Sequence, residues 1–159
     1  MAAKQVADKE FNMPVPSQCN NHCITGYIPY LSGKITVIGI NKGQEVCRQE
    51  METPQIACRL LFDQAEADEN MEYVLLKVRA YDSQNRPVFR ESAKVFFLVE
   101  GDAQLVGVDN GDITGDEPYH NDTIHMYQGH ASVIIRRTGK GRVKVSAYGS
   151  GLIGGEYCF

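Results

Sequence analysis

The chain has 159 residues, of which 43% are hydrophobic and 23% charged, and its formal net charge is −4. This length is enough for one good hydrophobic core with a small appendage. The acidic balance argues against a nucleic-acid partner, and no apolar run reaches the roughly 20 residues that would cross a membrane. Fifteen glycines, eight tyrosines and no tryptophan favour a β-rich protein with many turns.

The first third of the chain differs in character from the rest. Residues 1–10 lack the apolar stretch of a secretory signal peptide, so none is predicted. Further on, β-branched runs flank Asn41-Lys42-Gly43-Gln44, which indicates a hairpin over residues 35–51. Two strands do not stand alone as a domain. We therefore predict that residues 1–54 are the incomplete tail of a preceding β-sandwich, or strands that pack on the main one, ending at Thr53-Pro54.

Residues 55–159 carry seven further apolar runs with turn signals between them. The alternation is clearest at Val74, Leu76, Val78 and Ala80, which we expect to point inward. Short strands at this spacing predict an all-β fold, an immunoglobulin-like β-sandwich. A polar loop is favoured over a helical turn at residues 63–71. The predicted strands cover residues 56–62, 73–81, 93–99, 104–108, 131–136, 142–148 and 153–159.

Cysteine is scattered and odd in number, at positions 19, 23, 47, 58 and 158. A disulfide framework would need denser pairing in a smaller domain, so mostly reduced thiols are expected. A Cys19–Cys23 or a Cys47–Cys58 bridge is left open. The run from Cys19 through His22 to Cys23 is similar to half of a zinc site. No second Cys/His pair of suitable spacing completes it, so no structural zinc is predicted.

The loop at residues 109–122 is the most acidic segment. Hard cations take six to eight oxygen ligands, so five of its side chains are candidate calcium ligands: Asp109, Asp112, Asp116, Glu117 and Asp122. The EF-hand spacing is not met, however, and neither a metal nor a cofactor is expected. The favoured interpretation is local, with Asp109, Asn110 and Asp112 accepting hydrogen bonds from exposed loop amides.

Other polar and aromatic groups around this loop allow more than one reading. His120, His125 and His130 could converge, although exposure to solvent is more usual at such positions. Tyr119 and Tyr127 could contact a glycan, but core packing or a domain interface is the favoured use.

Basic residues are interpreted as the solvent side of a hairpin that turns at residues 139–141. These are Arg136, Arg137, Lys140, Arg142 and Lys144.

Several motifs occur in a fixed order along the chain. They are residues 73–82 leading into Asn85-Arg86-Pro87-Val88, residues 95–101 followed by 104–112, Glu117-Pro118-Tyr119, residues 127–131 and residues 141–147. In this order they resemble the C-terminal immunoglobulin-like domain of glycoside hydrolase family 2 enzymes, chiefly β-galactosidases. Residues 28–37 and 42–46 are similar to the last strands of the preceding domain, so the resemblance covers about residues 27–159. It departs from the family at Gly115-Asp116, where a serine-histidine pair is usual.

The resemblance implies a non-catalytic accessory region with no catalytic residue of its own. In this family two catalytic glutamates lie on a (β/α)₈ barrel of at least about 200 residues, so Glu117 takes no such role. The parent would be a bacterial, periplasmic or secreted enzyme that hydrolyses terminal β-linked sugars by a retaining mechanism. Expected partners are its other domains, and a glycan near the Asp109–Asp122 loop. A carbohydrate-binding module and a bacterial immunoglobulin-like adhesion domain stay open as alternatives.

Overall fold

A computed structural model describes residues 31–63 and 71–159 of the chain. The chain divides into two compact units, Met1–Thr53 and Pro54–Phe159. Every regular element within the described ranges is a β-strand, as the alternating pattern predicts. Those ranges hold no helix of the length and apolarity that a membrane span requires. The polar loop predicted at residues 63–71 lies mostly outside the described residues.

The first unit contains one antiparallel hairpin in its described part, formed by β1 (Lys34–Asn41) and β2 (Gln44–Glu52). The strands are joined by Lys42-Gly43, whose φ angles are 49° and 79°. Two successive positive φ angles define a type I′ turn, which matches the twist of the paired strands. The Cys19–Cys23 bridge that the spacing left open and the zinc half-site at the same residues lie outside the described residues. That residues 1–54 are the tail of a preceding sandwich stays a prediction.

The second unit contains the remaining eight strands. They are β3 (Arg59–Phe62), β4 (Tyr73–Tyr81), β5 (Lys94–Gly101), β6 (Ala103–Asp109), β7 (Thr123–His125), β8 (His130–Arg137), β9 (Val143–Gly149) and β10 (Leu152–Cys158). Seven of them correspond to the predicted runs. The pattern did not indicate β7, which has only three residues between polar neighbours.

The eight strands follow one another in the order β6-β8-β4-β3-β10-β9-β5-β7. A single parallel pair, Ile153 with Arg59, joins β10 to β3, and all other pairings are antiparallel. The chain therefore forms two layers, β6-β8-β4-β3 and β10-β9-β5-β7. If β3, β4, β5, β6, β8, β9 and β10 are lettered A to G in chain order, the first layer has the order A-B-E-D. The second layer has the order G-F-C, with β7 at its edge beside C. This is the strand order of the immunoglobulin fold.

The core lies between the two layers. Val74, Leu76, Val78 and Ala80 are buried, so the inward alternation predicted for β4 is confirmed. Phe97 on β5 is the largest fully buried side chain. The side chains on the inner faces of both layers are thus apolar and closely packed. Candidate functional groups therefore lie in the loops and on the outer faces.

The segment between β8 and β9 was predicted to be a hairpin turn, and this prediction is wrong. Strand β8 pairs with β4 and β6, whereas β9 pairs with β5 and β10, so the segment crosses from one layer to the other. It crosses over Asp102, whose carboxylate accepts a hydrogen bond from Gly141 N at 2.7 Å. A Cβ atom at Gly139 or Gly141 would overlap that carboxylate unless the exposed side chain of Asp102 moved. Glycine spacing alone does not distinguish a hairpin from such a crossover.

The three cysteines in the described ranges, Cys47, Cys58 and Cys158, are free thiols. The Cys47–Cys58 bridge that the spacing left open is therefore not formed. Cys47 lies opposite Gly39 on β1, and its sulfur covers the face of that glycine.

Candidate functional site

The acidic loop joins β6 to β7 and folds back along β6. Val108 N donates a hydrogen bond to Tyr119 O at 2.8 Å, which holds the returning segment against the strand. A Cβ atom at Gly107 would lie only 2.8 Å from Tyr119 O. The glycine before Val108 is therefore required for the close approach of the two backbones. The loop is consequently a packed segment of fixed position and not an open coil.

The first half of the loop is held by its own side chains. Asp109 Oδ1 accepts hydrogen bonds from Asn110 N at 2.8 Å and Gly111 N at 3.1 Å. Asn110 Oδ1 accepts one from Asp112 N at 2.9 Å. Asp112 Oδ1 accepts from Thr114 Oγ1 at 2.7 Å and Thr114 N at 3.0 Å, and these bonds hold the pKa of Asp112 below its usual value. The predicted Asx-type bonds are confirmed.

The second half of the loop is fastened to β7 through His125. Glu117 Oε2 accepts a hydrogen bond from His125 N at 3.0 Å, and Glu117 Oε1 lies 2.8 Å from His125 Nδ1. Asn110 Nδ2 donates to His125 O at 2.9 Å. The bond from His125 N, followed by that from its ring, lowers the pKa of Glu117. One histidine thus fastens both halves of the loop to the edge of the second layer.

Replacing Glu117 by alanine is expected to loosen the loop without unfolding the sandwich. Two hydrogen bonds to a carboxylate are lost, so the amide of His125 should exchange with solvent about tenfold faster. Because the pKa of Glu117 is lowered in the folded state, its stabilisation is present above its ordinary pKa of 4.5 and lost as the pH falls below that value. Hydrogen exchange followed by mass spectrometry at pH 7 and pH 4 measures both effects. Asp116→Ala, an exposed position in the same loop, is the control, and equal exchange in the two variants would contradict the role of Glu117.

The calcium candidates and the histidines are not brought together into one site. Asp116 and Asp122 are exposed, and His120 is exposed as well. His130 begins β8 beside Gly111, where its Nε2 lies 3.6 Å from the position of a Cβ atom on that glycine. Among residues 31–63 and 71–159, no three His, Cys, Asp or Glu side chains are grouped as a metal ion would require.

Two tyrosines next to the loop are exposed. The exposed fractions of Tyr119 and Tyr127 are 52% and 39%, so they do not pack in the core of this domain, and their use at a domain interface stays a prediction. Tyr119 lies where the loop returns along β6, and Tyr127 precedes a two-residue turn closed by His130. Ile113 at the tip of the loop is 98% exposed. The loop and its flank therefore present aromatic and apolar groups to the outside, while the carboxylates of Asp109, Asp112 and Glu117 accept hydrogen bonds from the backbone.

Sequence analysis missed the most buried charge in the structure, Asp82, which follows β4. Its carboxylate accepts hydrogen bonds from Gln55 N at 2.8 Å, Gln84 N at 2.9 Å and Arg86 N at 2.9 Å. Arg86 Nε and Nη2 complete the set, each at 2.8 Å. Burial disfavours the charge, but the donated hydrogen bonds outweigh it and hold the pKa of Asp82 far below its usual value. The contact with Gln55, which is distant in the sequence, shows that Asp82 does more than stabilise its own turn. Nothing in the sequence around Asp82 reveals that contact.

A second feature missed by sequence analysis is an apolar patch on the outer face of β5 and β9. Phe96 and Tyr148 lie opposite each other, with ring centroids 6.4 Å apart and an interplanar angle of 26°. Leu98 continues the patch, and all three side chains are exposed. Ser146 lies beneath it, fully buried, and its hydroxyl has no hydrogen-bond partner in the part of the chain that the structure describes. Alternation in β5 and β9 was assigned to the core, and the apolar residues on the opposite face were not noticed.

Comparison with known proteins places this architecture. The family described as glycoside hydrolase family 2 C-terminal domain 5 matches residues 59–157. A glycosyl hydrolase family 2 member from Bacteroides cellulosilyticus has a TM-score of 0.83 at 18% identity, and the match covers 99% of this chain and 22% of that one. A β-glycosidase from Bacteroides vulgatus has a TM-score of 0.77 at 20% identity, covering 99% and 21%. A β-glucuronidase from family 2 has 0.77 at 18%, covering 99% and 17%.

At these identities the structural likeness shows the fold alone. The chain spans about a fifth of the length of the solved proteins it is similar to. A search of curated proteins found no match. The family match covers residues 59–157, which is more than half of the chain and all eight strands of the sandwich except the last residue of β10. The chain therefore belongs to the glycoside hydrolase family 2 C-terminal domain 5 family.

Proposed function

We propose that the chain serves as a structural region of a larger enzyme that hydrolyses terminal β-linked sugars by a retaining mechanism, with β-galactosides as substrates. The single observation that carries this proposal is the family match over residues 59–157, which coincides with the sandwich. The catalytic barrel would lie elsewhere in the parent enzyme. Its other domains would be the partners of this chain.

The arrangement of the acidic residues supports a non-catalytic role. Retaining hydrolysis needs two carboxyl groups about 5–5.5 Å apart on either side of the scissile bond. In the acidic loop Asp109 and Asp112 accept hydrogen bonds from backbone amides, and Glu117 is bound to His125. Each of these carboxylates stabilises the loop conformation.

Both outer faces of the sandwich support packing against other domains. The patch on β5 and β9 contains Phe96, Leu98 and Tyr148, and the opposite layer exposes Tyr73 and Leu75 on β4. Exposed apolar and aromatic groups of this kind mark interaction surfaces, and aromatic residues are enriched in interface cores. Their presence on two faces is what a domain embedded in a large enzyme requires.

A second candidate function is contact with a glycan at the acidic loop. The exposure of Tyr119 and Tyr127 favours it, because an aromatic ring with a polar tip suits a sugar surface. In this arrangement the hydrogen bonds between Glu117 and His125 would hold the loop in place beside the tyrosines. Binding would then assist a parent enzyme and not replace its catalytic site.

The proposal predicts that the isolated chain has no hydrolytic activity, while a longer protein from the same reading frame is active. The measurement is release of nitrophenol from nitrophenyl β-galactoside, with nitrophenyl β-glucuronide run in parallel because a solved relative is a β-glucuronidase. Heat-denatured chain provides the background rate. Turnover by the 159-residue chain alone, or a reading frame without a barrel domain, would overturn the proposal.

A further inference from the structure

We propose that Arg59 and Arg79 form a carboxylate-binding site on the outer face of β3 and β4. The ligand would be a single carboxylate held by two guanidinium groups. Two sources offer this chemistry, a sugar acid or an acidic side chain of the parent enzyme, and the second source rests on the function proposed above.

Strand register brings the two arginines together. In the pairing of β3 with β4, Arg59 lies opposite Tyr81 and Leu61 lies opposite Arg79. Leu60 is fully buried, so its neighbour Arg59 lies on the outer face, and Arg79 lies between two buried residues of β4 on the same face. Arg59 and Arg79 are therefore diagonal neighbours, about 7–8 Å apart at the backbone and within reach of long side chains.

The positive charge at this place is only partly balanced. Asp63 approaches Arg79 through one oxygen, 3.3 Å from Nη2, and both side chains are one third exposed. The Nε atoms of Arg59 and Arg79 are buried and have no hydrogen-bond partner among residues 31–63 and 71–159. A buried donor without an acceptor is unfavourable, and two of them on diagonal neighbours indicate an acceptor that the described residues do not supply.

The surroundings suit a carboxylate on an apolar or ring-shaped stem. A guanidinium group offers a planar fork that matches the two oxygens of a carboxylate. Leu61 is exposed and Tyr81 half-buried beside the arginines, so both provide apolar surface for the stem. His130 lies opposite Arg79 on β8 and adds a further polar group at the other side. Asp63 already shows that a carboxylate oxygen fits against Arg79.

The test follows the arginine Nε–Hε signals of the ¹⁵N-labelled 159-residue chain by NMR. Sodium acetate is titrated at constant ionic strength against sodium chloride. Signals of Arg59 and Arg79 are expected to shift and saturate together, whereas that of the exposed Arg142 is expected to stay unchanged because the ionic strength is constant. Equal behaviour of all three signals would overturn the proposal, as would saturation with inorganic phosphate but not with acetate.

Two variants separate the site from general charge. Arg59→Gln is expected to weaken acetate binding at least about fivefold, and Arg79→Lys, which keeps the charge but loses the fork, is expected to weaken it as well. Arg142→Gln is the matched control and should leave acetate binding unchanged. The dispersion of the remaining amide signals reports whether each variant is folded. Unchanged binding in folded Arg59→Gln or Arg79→Lys would contradict the site.

Glucuronate in place of acetate identifies the source of the ligand. Binding at least about tenfold tighter than that of acetate supports a sugar acid as ligand, because the ring would then add contacts to the carboxylate. Equal affinities support an acidic side chain from the parent enzyme. Failure of the arginine site would leave the hydrolysis assay unaffected, because the accessory role of the domain does not depend on Arg59 or Arg79.

Discussion

Replacing Asp82 by asparagine is expected to lower the melting temperature of the sandwich by at least about 10 °C. The side chain is fully buried, and its carboxylate accepts hydrogen bonds from Gln55, Gln84 and Arg86. Asparagine keeps one acceptor oxygen, but its NH₂ group replaces the oxygen that accepts hydrogen bonds from the guanidinium of Arg86. The guanidinium then faces a donor in place of an acceptor. Thermal unfolding followed by circular dichroism measures the shift. Asp122→Asn, at an exposed position, should change it little.

The same carboxylate predicts a pH dependence. The pKa of Asp82 is lowered in the folded state, so the unfolded chain binds the proton more readily. The stabilisation is therefore fully present above the ordinary value of 3.8 and is lost progressively as the pH falls below it. Stability of the wild type should decline steeply below about pH 4, and that of Asp82→Asn less steeply. If the stability of the two proteins declined equally as the pH falls, Asp82 would not be the group responsible for the loss.

Gly129→Ala is expected to destabilise the sandwich by at least about 3 kcal/mol. Gly129 follows Gln128 in the turn before β8, with a φ angle of 73°. A Cβ atom there would overlap the carbonyl oxygen of Val88 and come within 3.1 Å of Phe89 Cα. Both obstacles are backbone atoms, so no side-chain rotation relieves them. Urea unfolding gives the free energy of the variant.

Gly151→Ala is the matched control for this substitution. Gly151 lies in the turn between β9 and β10 with a φ angle of 75°, and a Cβ atom there meets nothing within 4 Å. It has the same positive φ without the overlap, so a loss of only about 1 kcal/mol is expected. The difference between the two variants measures the steric effect at Gly129. Similar losses would show that backbone conformation, and not the contact with Val88, is responsible.

The local alternation of apolar and polar residues was sufficient to predict most of the strands. In β4 the alternation of Val74, Leu76, Val78 and Ala80 with outward residues matches the burial in the structure. Strand β7 was not predicted because it has a single buried residue, Ile124, and one residue does not establish an alternating pattern. The segment at residues 139–141 was misread because the partner of each strand is decided by contacts far apart in the chain.

The candidate site was predictable to the same extent. The bonds made by Asp109, Asn110 and Asp112 span one or two residues, so residue type and spacing were enough to predict them. The contact between Gln55 and Asp82 spans 27 residues, and the Arg59–Arg79 pairing depends on strand register. Such groups meet only after the layers have formed, and nothing in their immediate sequence indicates it.

The pairing of β3 with β10 has a further consequence for solubility. Because this one parallel bridge joins the two layers, only β6 and β7 remain at the ends of the strand order in the described sandwich. Strand β7 has three residues, and β6 is interrupted by an irregularity between Leu105 and Gly107. Short or distorted strands are poor templates for the addition of a foreign strand. The sandwich is thereby protected against edge-to-edge aggregation with other copies of the chain.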